Sequence, residues 1–173
     1  MNAKPNDTSF QPDDPQQLRH AFGQFATGVT AIVTRDESGA LVGLTVNSFT
    51  SVSLDPPLIL WNLRRGARSY QAFKACDYFV INVLASDQLE VAQTFSAPVA
   101  DRFAGLSWMP SPVSSLPILN GVSAWFECKS LNSYDAGDHT IFVAEVRGFS
   151  HAERDPLLFH AGSFVQPSKQ PAS

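Results

Sequence analysis

The sequence predicts a mainly β protein, an antiparallel barrel with short helices at its ends. Hairpin turn signals at Asp36–Gly39 and Ala136–Asp138 separate short apolar stretches, so neighbouring strands are expected to pair antiparallel. Only a few short segments carry helix signals, and these segments do not alternate with the strands. That order is typical of a barrel rather than of a parallel sheet covered by helices.

The length and charge of the chain limit the classes of protein that it can belong to. With 173 residues it has the size of one domain, predicted over residues 15–165, with a flexible arm at 1–14 and a loose tail at 166–173. A net charge of −4 without a basic run argues against nucleic acid as a partner. No apolar run is long enough to span a bilayer and no signal segment is visible, so a cytoplasmic protein is expected.

The composition leaves two interpretations of the apolar residues open. Hydrophobic residues make up 44% of the chain and charged residues 16%, which fits either a large core or a surface covered by a second subunit. Cys76 and Cys128 lack the spacing of a metal site, and two cysteines do not make a disulfide framework. Free thiols in a reducing compartment, and no bound metal, are therefore expected.

The first half of the chain predicts a helix followed by paired strands. Asp14 has the position of an N-cap with Pro15 at the first helical position, and the helix is expected to stop before Gly28. Alternating residues then predict a strand over Val29–Thr34 and an antiparallel return over Ala40–Leu54. Asp55, Pro56 and Pro57 end that strand, because proline cannot donate to the strand ladder.

The remaining elements follow from the same signals. A strand over Pro57–Leu63, a short helix over Tyr70–Ala75 and a buried strand over Asp77–Leu84 are predicted, and then a helix capped by Ser86 or Asp87 and ending near Phe95. The proline-containing segment Ser96–Pro117 is predicted to be a long loop, which is typical of a lid, a binding segment or a subunit contact. Three further strands are predicted at Gly121–Ser133, His139–Ser150 and Leu157–His160.

One stretch combines strand patterning with an unusual density of small polar side chains. Between two apolar strands lie hydroxyl and amide groups that could bind a flat polar ligand or a phosphate: Thr45, Asn47, Ser48, Thr50, Ser51 and Ser53. An exposed edge strand rich in serine and threonine is the alternative explanation. The chain has no glycine-rich dinucleotide-binding fingerprint after a strand, so a Rossmann site for NAD is not supported.

Six segments taken together resemble the flavin reductase family, the small NAD(P)H-dependent proteins that supply reduced flavin to a partner monooxygenase. They occur in the family's order and spacing at Phe25–Val29, Gly43–Ser53, Phe79–Leu84, Asp101–Gly105, Gly137–Phe142 and Pro156–Gly162. The resemblance implies an FMN-binding split barrel, usually a homodimer, that transfers hydride from NADH or NADPH to FMN or FAD. A barrel that holds FMN tightly and reduces another small molecule, or a non-catalytic binding module with the same fold, are the alternatives.

The resemblance also implies which residues bind the flavin. Along the ring and ribityl chain it places Thr45, Val46, Asn47 and Ser48. Near a phosphate it places Ser51, Val52, Ser53 and Ser69. The residues themselves add a cationic cluster, Arg64, Arg65 and Arg68, that could contact a phosphate or an adenine nucleotide. Around the ring the resemblance places Asn82, Val83, Leu84, Phe103 and Gly162, and it puts His139 beside the nicotinamide as a positioning group. The alternatives are solvated arginines, an Asn82 that satisfies a turn, a Phe103 that only packs, and a structural His139.

Overall fold

A computed structural model describes residues 14–99 and 101–167. The predicted arm lies outside these residues except for Asp14, and the predicted tail lies outside them except for Gln166 and Pro167. The described residues form three helices and twelve strands. In chain order these are α1 (Pro15–Phe22), β1 (Thr27–Gly28), β2 (Thr30–Arg35), β3 (Leu41–Val46), β4 (Thr50–Leu54), β5 (Pro57–Arg64), α2 (Tyr70–Ala75), β6 (Tyr78–Val83), α3 (Leu89–Ser96), β7 (Trp108–Pro110), β8 (Pro117–Leu119), β9 (Ala124–Ala136), β10 (His139–His151), β11 (Leu158–His160) and β12 (Ser163–Val165).

The largest sheet has seven antiparallel strands in the order β3-β2-β6-β9-β10-β5-β4. Its two edge strands, β3 and β4, are consecutive in the chain, and the predicted single strand Ala40–Leu54 is interrupted between them. At the interruption the Ser48 hydroxyl donates to the Asn62 carbonyl at 3.1 Å and accepts from the Asn62 N–H at 3.0 Å. These two hydrogen bonds attach the junction of the two edge strands to β5. The mainly β, antiparallel architecture confirms the predicted fold class.

The barrel interior is filled by aromatic and branched side chains. Trp61 on β5 is fully buried, with its ring 4.8 Å from Phe142 in a stacked arrangement and 5.0 Å from Phe73 in an edge arrangement. A second buried cluster lies between the sheet, α3 and the β8 segment, and it includes Leu84, Phe95 and Ile118. These two clusters hold β3 and α3 in fixed positions, and the candidate site is built on both elements.

Helix α1 begins as predicted and ends earlier than predicted. The Asp14 carboxylate accepts from the backbone N–H groups of Gln16 and Gln17 at 2.9 and 3.1 Å, which confirms Asp14 as the N-cap. The helix ends at Phe22, with Gly23 as the C-cap, rather than just before Gly28. The physical reason is tertiary, because the Gly23 carbonyl accepts from the Ala161 N–H at 2.8 Å and the chain then enters strand β1.

The predicted cap of α3 is wrong. The N-cap residue is Gln88, and it makes no side-chain capping bond. Instead, its side-chain oxygen accepts from the Ala85 N–H at 3.0 Å. Asp87 is engaged elsewhere, in a 2.5 Å ion pair with Arg154. None of the helices in residues 14–99 and 101–167 is long and apolar enough to span a bilayer.

The segment predicted to be a long loop contains β7 and leads into β8, and two polar side chains of the large sheet hold this β7–β8 hairpin in place. Asn82 on β6 is fully buried, and its side-chain oxygen accepts from the Leu119 N–H at 2.8 Å. Glu127 on β9 is also fully buried and accepts hydrogen bonds from Ser111 Oγ at 2.5 Å and from the Ser114 N–H at 2.7 Å. Buried polar groups need such partners, and here the partners give the segment a defined structure.

Candidate functional site

A cleft of about 190 Å³ lies at the end of β3, and we call it the β3 cleft. The C-terminal end of α3 and the β11–β12 hairpin contribute to its walls. Its lining residues are Val29, Thr45, Val46, Asn47, Ser96, Phe159 and Phe164. Three of the residues predicted to contact the flavin ring, Thr45, Val46 and Asn47, therefore line one cleft.

The β3 cleft combines aromatic surface with polar groups from one strand. The rings of Phe159 and Phe164 meet edge to face with centroids 5.4 Å apart. The Thr45 hydroxyl donates to the Ala92 carbonyl at 2.7 Å, which attaches α3 to β3. Asn47 is exposed, and its amide can both donate and accept. Such a surface suits a flat heterocycle with polar atoms along one edge.

A second cleft, of about 230 Å³, lies beside the first half of β3, and we call it the arginine pocket. Its lining residues are Leu41, Val42, Gly43, Arg68, Ser69, Asp101, Arg102 and Phe103. The predicted residues Arg68, Ser69 and Phe103 thus lie together. Gly43 is required here, because a Cβ atom at this position would lie 2.9 Å from Phe95 Cδ1 and 3.2 Å from Phe103 Cζ.

Residues predicted on β4 and the adjoining turn lie outside both clefts. Ser48 is half-buried, and its hydroxyl is used in the two hydrogen bonds to Asn62. Ser51 and Val52 are exposed on β4. The Ser53 hydroxyl accepts from the Asp55 N–H at 3.2 Å, as expected of a turn. Their contact with the flavin or its phosphate stays a prediction.

Asn82, Val83 and Leu84, which are predicted to border the flavin ring, do not line either cleft. Asn82 and Leu84 are fully buried, and the Asn82 amide donates to the carbonyls of Ala31 and Pro117, each at 3.3 Å. The Leu84 N–H donates to the Val29 carbonyl at 2.9 Å, and the Val83 carbonyl accepts from Ser123 at 2.9 Å. The Asn82 side chain is therefore hydrogen-bonded to neighbouring backbone, and a contact of this segment with the flavin ring stays a prediction.

His139 and Gly162 lie outside both clefts. His139 begins β10 beside the end of β5, and its Nδ1 is 2.7 Å from a carboxylate oxygen of Asp138. The hydrogen bond from His139 lowers the pKa of the exposed Asp138 carboxyl. Gly162, with φ of 82°, forms the β11–β12 turn and lines a separate groove together with Arg19 and His20.

Sequence reasoning missed several lining residues. Phe159 and Phe164 lie more than a hundred positions after β3 and reach the cleft through the β11–β12 hairpin, so no local pattern marks them. Ser96 was predicted only as the first residue of the long loop. Arg102 was not missed, because the sequence marks it as a candidate partner of Asp101 or of a nucleotide phosphate, but its position beside β3 depends on tertiary structure.

The described residues contain no group of three or more His, Cys, Asp or Glu that could hold a metal ion. Cys76 and Cys128 are free thiols, as expected. Burial raises the pKa of both thiols. The two clefts offer aromatic rings, hydroxyls, an amide, guanidinium groups and the carboxylate of Asp101. These groups can bind and orient a ligand.

Comparison with known proteins identifies the family. Residues 22–168 match the family described as "Flavin reductase like domain", and the chain belongs to this family. It is 39% identical to the "FMN reductase (NADH) SmoA" of Agrobacterium fabrum over 96% of this chain and 95% of that protein. It is 42% identical to the "Flavin-dependent trigonelline monooxygenase, reductase component" of Acinetobacter baylyi over 89% of this chain, and it spans only 49% of that relative's length.

A solved structure gives the same result for the fold. The chain superposes with a TM-score of 0.89 and 34% identity on the Streptomyces globisporus C-1027 "NADH:FAD oxidoreductase SgcE6 in complex with NAD and FAD fragments". The superposition covers 98% of this chain and 100% of that one. The fold is therefore that of a flavin reductase over its full described length.

Proposed function

We propose that this chain is an NAD(P)H:flavin oxidoreductase that reduces FMN or FAD and supplies the reduced flavin to a flavin-dependent monooxygenase. The β3 cleft carries the proposal, because three residues expected to border the ring line it together with two phenylalanines. The relatives named as an NADH-dependent FMN reductase and as the reductase component of a monooxygenase support the cofactors and the partner.

The protein's task in this reaction is positioning. The nicotinamide supplies hydride and the flavin accepts it, so the two rings must stack within about 3–3.5 Å of each other. Phe159 and Phe164 provide apolar surface for one ring, and Asn47 can hydrogen-bond to its polar edge. A cleft built from neutral groups binds a ring without a strong charge clamp, which suits a flavin that is released after reduction.

Steady-state oxidation of NADH and NADPH in the presence and absence of FMN, FAD and riboflavin tests the proposal. Oxidation is expected only when free flavin is present, and the reduced flavin should support a flavin-dependent monooxygenase added to the assay. A rate no greater than the flavin-free control contradicts the proposal. A yellow protein that keeps its flavin through gel filtration, with turnover independent of added flavin, would instead indicate a tightly bound cofactor.

We further propose that His139 positions the nicotinamide. The Asp138 carboxylate at 2.7 Å orients the imidazole through Nδ1 and leaves Nε2 for a ligand. His139→Ala is expected to raise the KM for NADH by about three- to tenfold, the value of one hydrogen bond, with the KM for FMN unchanged. His151→Ala, at the exposed far end of the same strand, is the matched control. An unchanged KM for NADH in His139→Ala contradicts this role.

We also propose a homodimer in the cytoplasm. The seven-stranded sheet carries exposed apolar side chains, among them Leu54 at 94% and Phe149 at 66% exposure, and contact with a second copy would bury them. Free thiols are compatible with a reducing compartment. Sedimentation equilibrium should give about twice the monomer mass of 18.8 kDa. Leu54→Glu should weaken the dimer and Leu89→Glu on α3 should not, whereas a wild-type monomer at micromolar concentration contradicts the proposal.

A further inference from the structure

We propose that Arg102 is a positioning residue for flavin reduction, which holds the two walls of the β3 cleft at a fixed separation and does not contact the ligand. This role rests on the proposed function and adds to it a residue that does not line the β3 cleft. One guanidinium group donates to a backbone carbonyl of β3 and to a backbone carbonyl at the end of α3, and both elements line the cleft. Arg102 therefore bridges the two walls from outside.

The bridge consists of two hydrogen bonds with a fixed geometry. Arg102 Nη1 donates to the Gly43 carbonyl at 3.1 Å, and Nη2 donates to the Ala97 carbonyl at 2.8 Å. Gly43 lies on β3 shortly before Thr45, and Ala97 is the C-cap of α3 and follows Ser96. Because guanidinium is planar, its two terminal nitrogens keep a constant separation, and so do the carbonyls that they bind. A positive charge at the C-terminus of a helix is also favourable.

Two aromatic rings pack at the same junction. Phe95 on α3 and Phe103, the residue after Arg102, meet edge to face with centroids 5.1 Å apart. Both rings lie against Gly43, which is buried. β3, α3 and the residues next to Arg102 are therefore in contact at one point, so the position of the guanidinium group is itself well defined.

The other hydrogen bond between α3 and β3 lies further from the end of the helix. The Thr45 hydroxyl donates to the Ala92 carbonyl at 2.7 Å, about one turn before Ser96. The Ser96 hydroxyl donates back to the same carbonyl at 2.5 Å and so stays within the helix. Among the hydrogen bonds of the described residues, only those of Arg102 connect the last turn of α3 to β3. Without them, the end of α3 that lines the cleft would be free to move away from β3.

Two other roles for Arg102 fit the structure less well. Within residues 14–99 and 101–167 it forms no ion pair with a carboxylate. The neighbouring Asp101 instead accepts from the Phe103 N–H at 2.8 Å and from the Ala104 N–H at 3.2 Å. Arg102 Nε is buried, so a ligand cannot reach it. Because both terminal nitrogens already donate to carbonyls, a nucleotide phosphate would have only their second hydrogens to bind.

Steady-state NADH oxidation by Arg102→Met with FMN, FAD and riboflavin tests this role. The KM is expected to rise by about tenfold and by the same factor for all three flavins, while kcat stays within about threefold of the wild-type value. The rise is equal because the three flavins share the ring that the cleft holds and differ in the groups attached to it. Arg102→Lys should show a similar rise, since one ammonium group cannot hold two separated carbonyls in a fixed geometry.

Chemical rescue provides a readout that a purely structural role would not give. Millimolar guanidinium chloride should lower the raised KM of Arg102→Ala, because the free ion can occupy the place of the missing side chain. Sodium chloride at the same concentration should have no such effect, and an equal response to the two salts would count against the role. Unfolding requires guanidinium at molar concentrations, so it does not interfere.

Arg35→Met is the matched control. Arg35 is exposed, lines neither cleft, and donates to the Gly39 carbonyl at 3.0 Å in the turn between β2 and β3. The variant thus removes another arginine that binds a backbone carbonyl. Its KM and kcat for each flavin should equal those of the wild-type protein, with no response to guanidinium.

The possible failures give different results. A KM that rises for FMN and FAD but not for riboflavin would make Arg102 a phosphate ligand and would overturn the proposal. An unchanged KM for all three flavins in Arg102→Met and Arg102→Lys, whatever the change in Tm, would show a role in stability alone and would also overturn it. If the wild-type protein oxidises NADH with none of the flavins, the proposed function fails, whereas normal variants of an active wild-type protein overturn the positioning role alone.

Discussion

Ser96→Trp is expected to lower the affinity for FMN by about a hundredfold or more and to abolish flavin-dependent NADH oxidation at micromolar flavin. Ser96 is the last residue of α3, is exposed, and lines the β3 cleft, whose volume is about 190 Å³. An indole at this position would fill the space that the ring requires, and a hundredfold loss corresponds to about 2.7 kcal/mol. Fluorescence titration with FMN measures the effect directly.

A matched control separates occlusion of the cleft from damage to the helix. Gln93→Trp places the same side chain on the same helix at an exposed position that does not line the cleft. This variant should bind FMN as the wild-type protein does, and both variants should unfold within a few degrees of the wild-type protein. Affinity of Ser96→Trp for FMN within threefold of the wild-type value would place the ring elsewhere.

Glu127→Gln is expected to lower the free energy of unfolding by about 3 kcal/mol and the Tm by about 6–12 °C. Four donors converge on this fully buried carboxylate, namely the hydroxyls of Ser111 and Ser114 at 2.5 Å each and the N–H groups of Val113 and Ser114 at 3.1 and 2.7 Å. The amide of Gln keeps only one acceptor oxygen. Its NH2 group is a donor, and it would face hydroxyl and N–H groups that are themselves donors here. Urea denaturation at pH 7 measures the loss, with the exposed Glu153→Gln as the control.

The same residue predicts a pH dependence. Burial raises the pKa of Glu127, but the hydrogen bonds from Ser111, Ser114 and Val113 together outweigh it and hold the pKa below its ordinary value. A carboxyl with a depressed folded pKa stabilises the protein fully above its unfolded pKa of about 4.3, and this stabilisation is lost as the pH falls through the folded value. The stability difference between the wild-type protein and Glu127→Gln should therefore be constant at neutral pH and shrink below about pH 4. A difference that grows on acidification would contradict this account.

Local signals in the sequence were sufficient to predict most of the helices, strands and turns. Helix α2 lies at Tyr70–Ala75 as predicted, and turns separate the strands at Asp55–Pro56 and Gly137–Asp138. Each of these features depends on neighbouring residues, such as a proline that cannot join a ladder or a glycine that tolerates a positive φ. Such rules act over a few positions and can be applied without knowledge of the tertiary structure.

The parts that the sequence did not predict depend on contacts between distant residues. The β7–β8 hairpin is ordered by Asn82 and Glu127 from other strands, and nothing within Ser96–Pro117 indicates those partners. Glu127 could have been noticed as a carboxylate within the apolar run from Trp125 to Cys128, which requires buried donors if the run is a strand. The β3 cleft likewise arises where α3 and the β11–β12 hairpin approach β3, so only part of its lining could be predicted.

A crystal structure of this protein with FMN tests the central claim most directly. The account predicts the isoalloxazine in the β3 cleft, in contact with Thr45–Asn47 on one side and with Phe159 or Phe164 on another. An isoalloxazine bound elsewhere, or a β3 cleft filled by the protein's own side chains under saturating FMN, would contradict it.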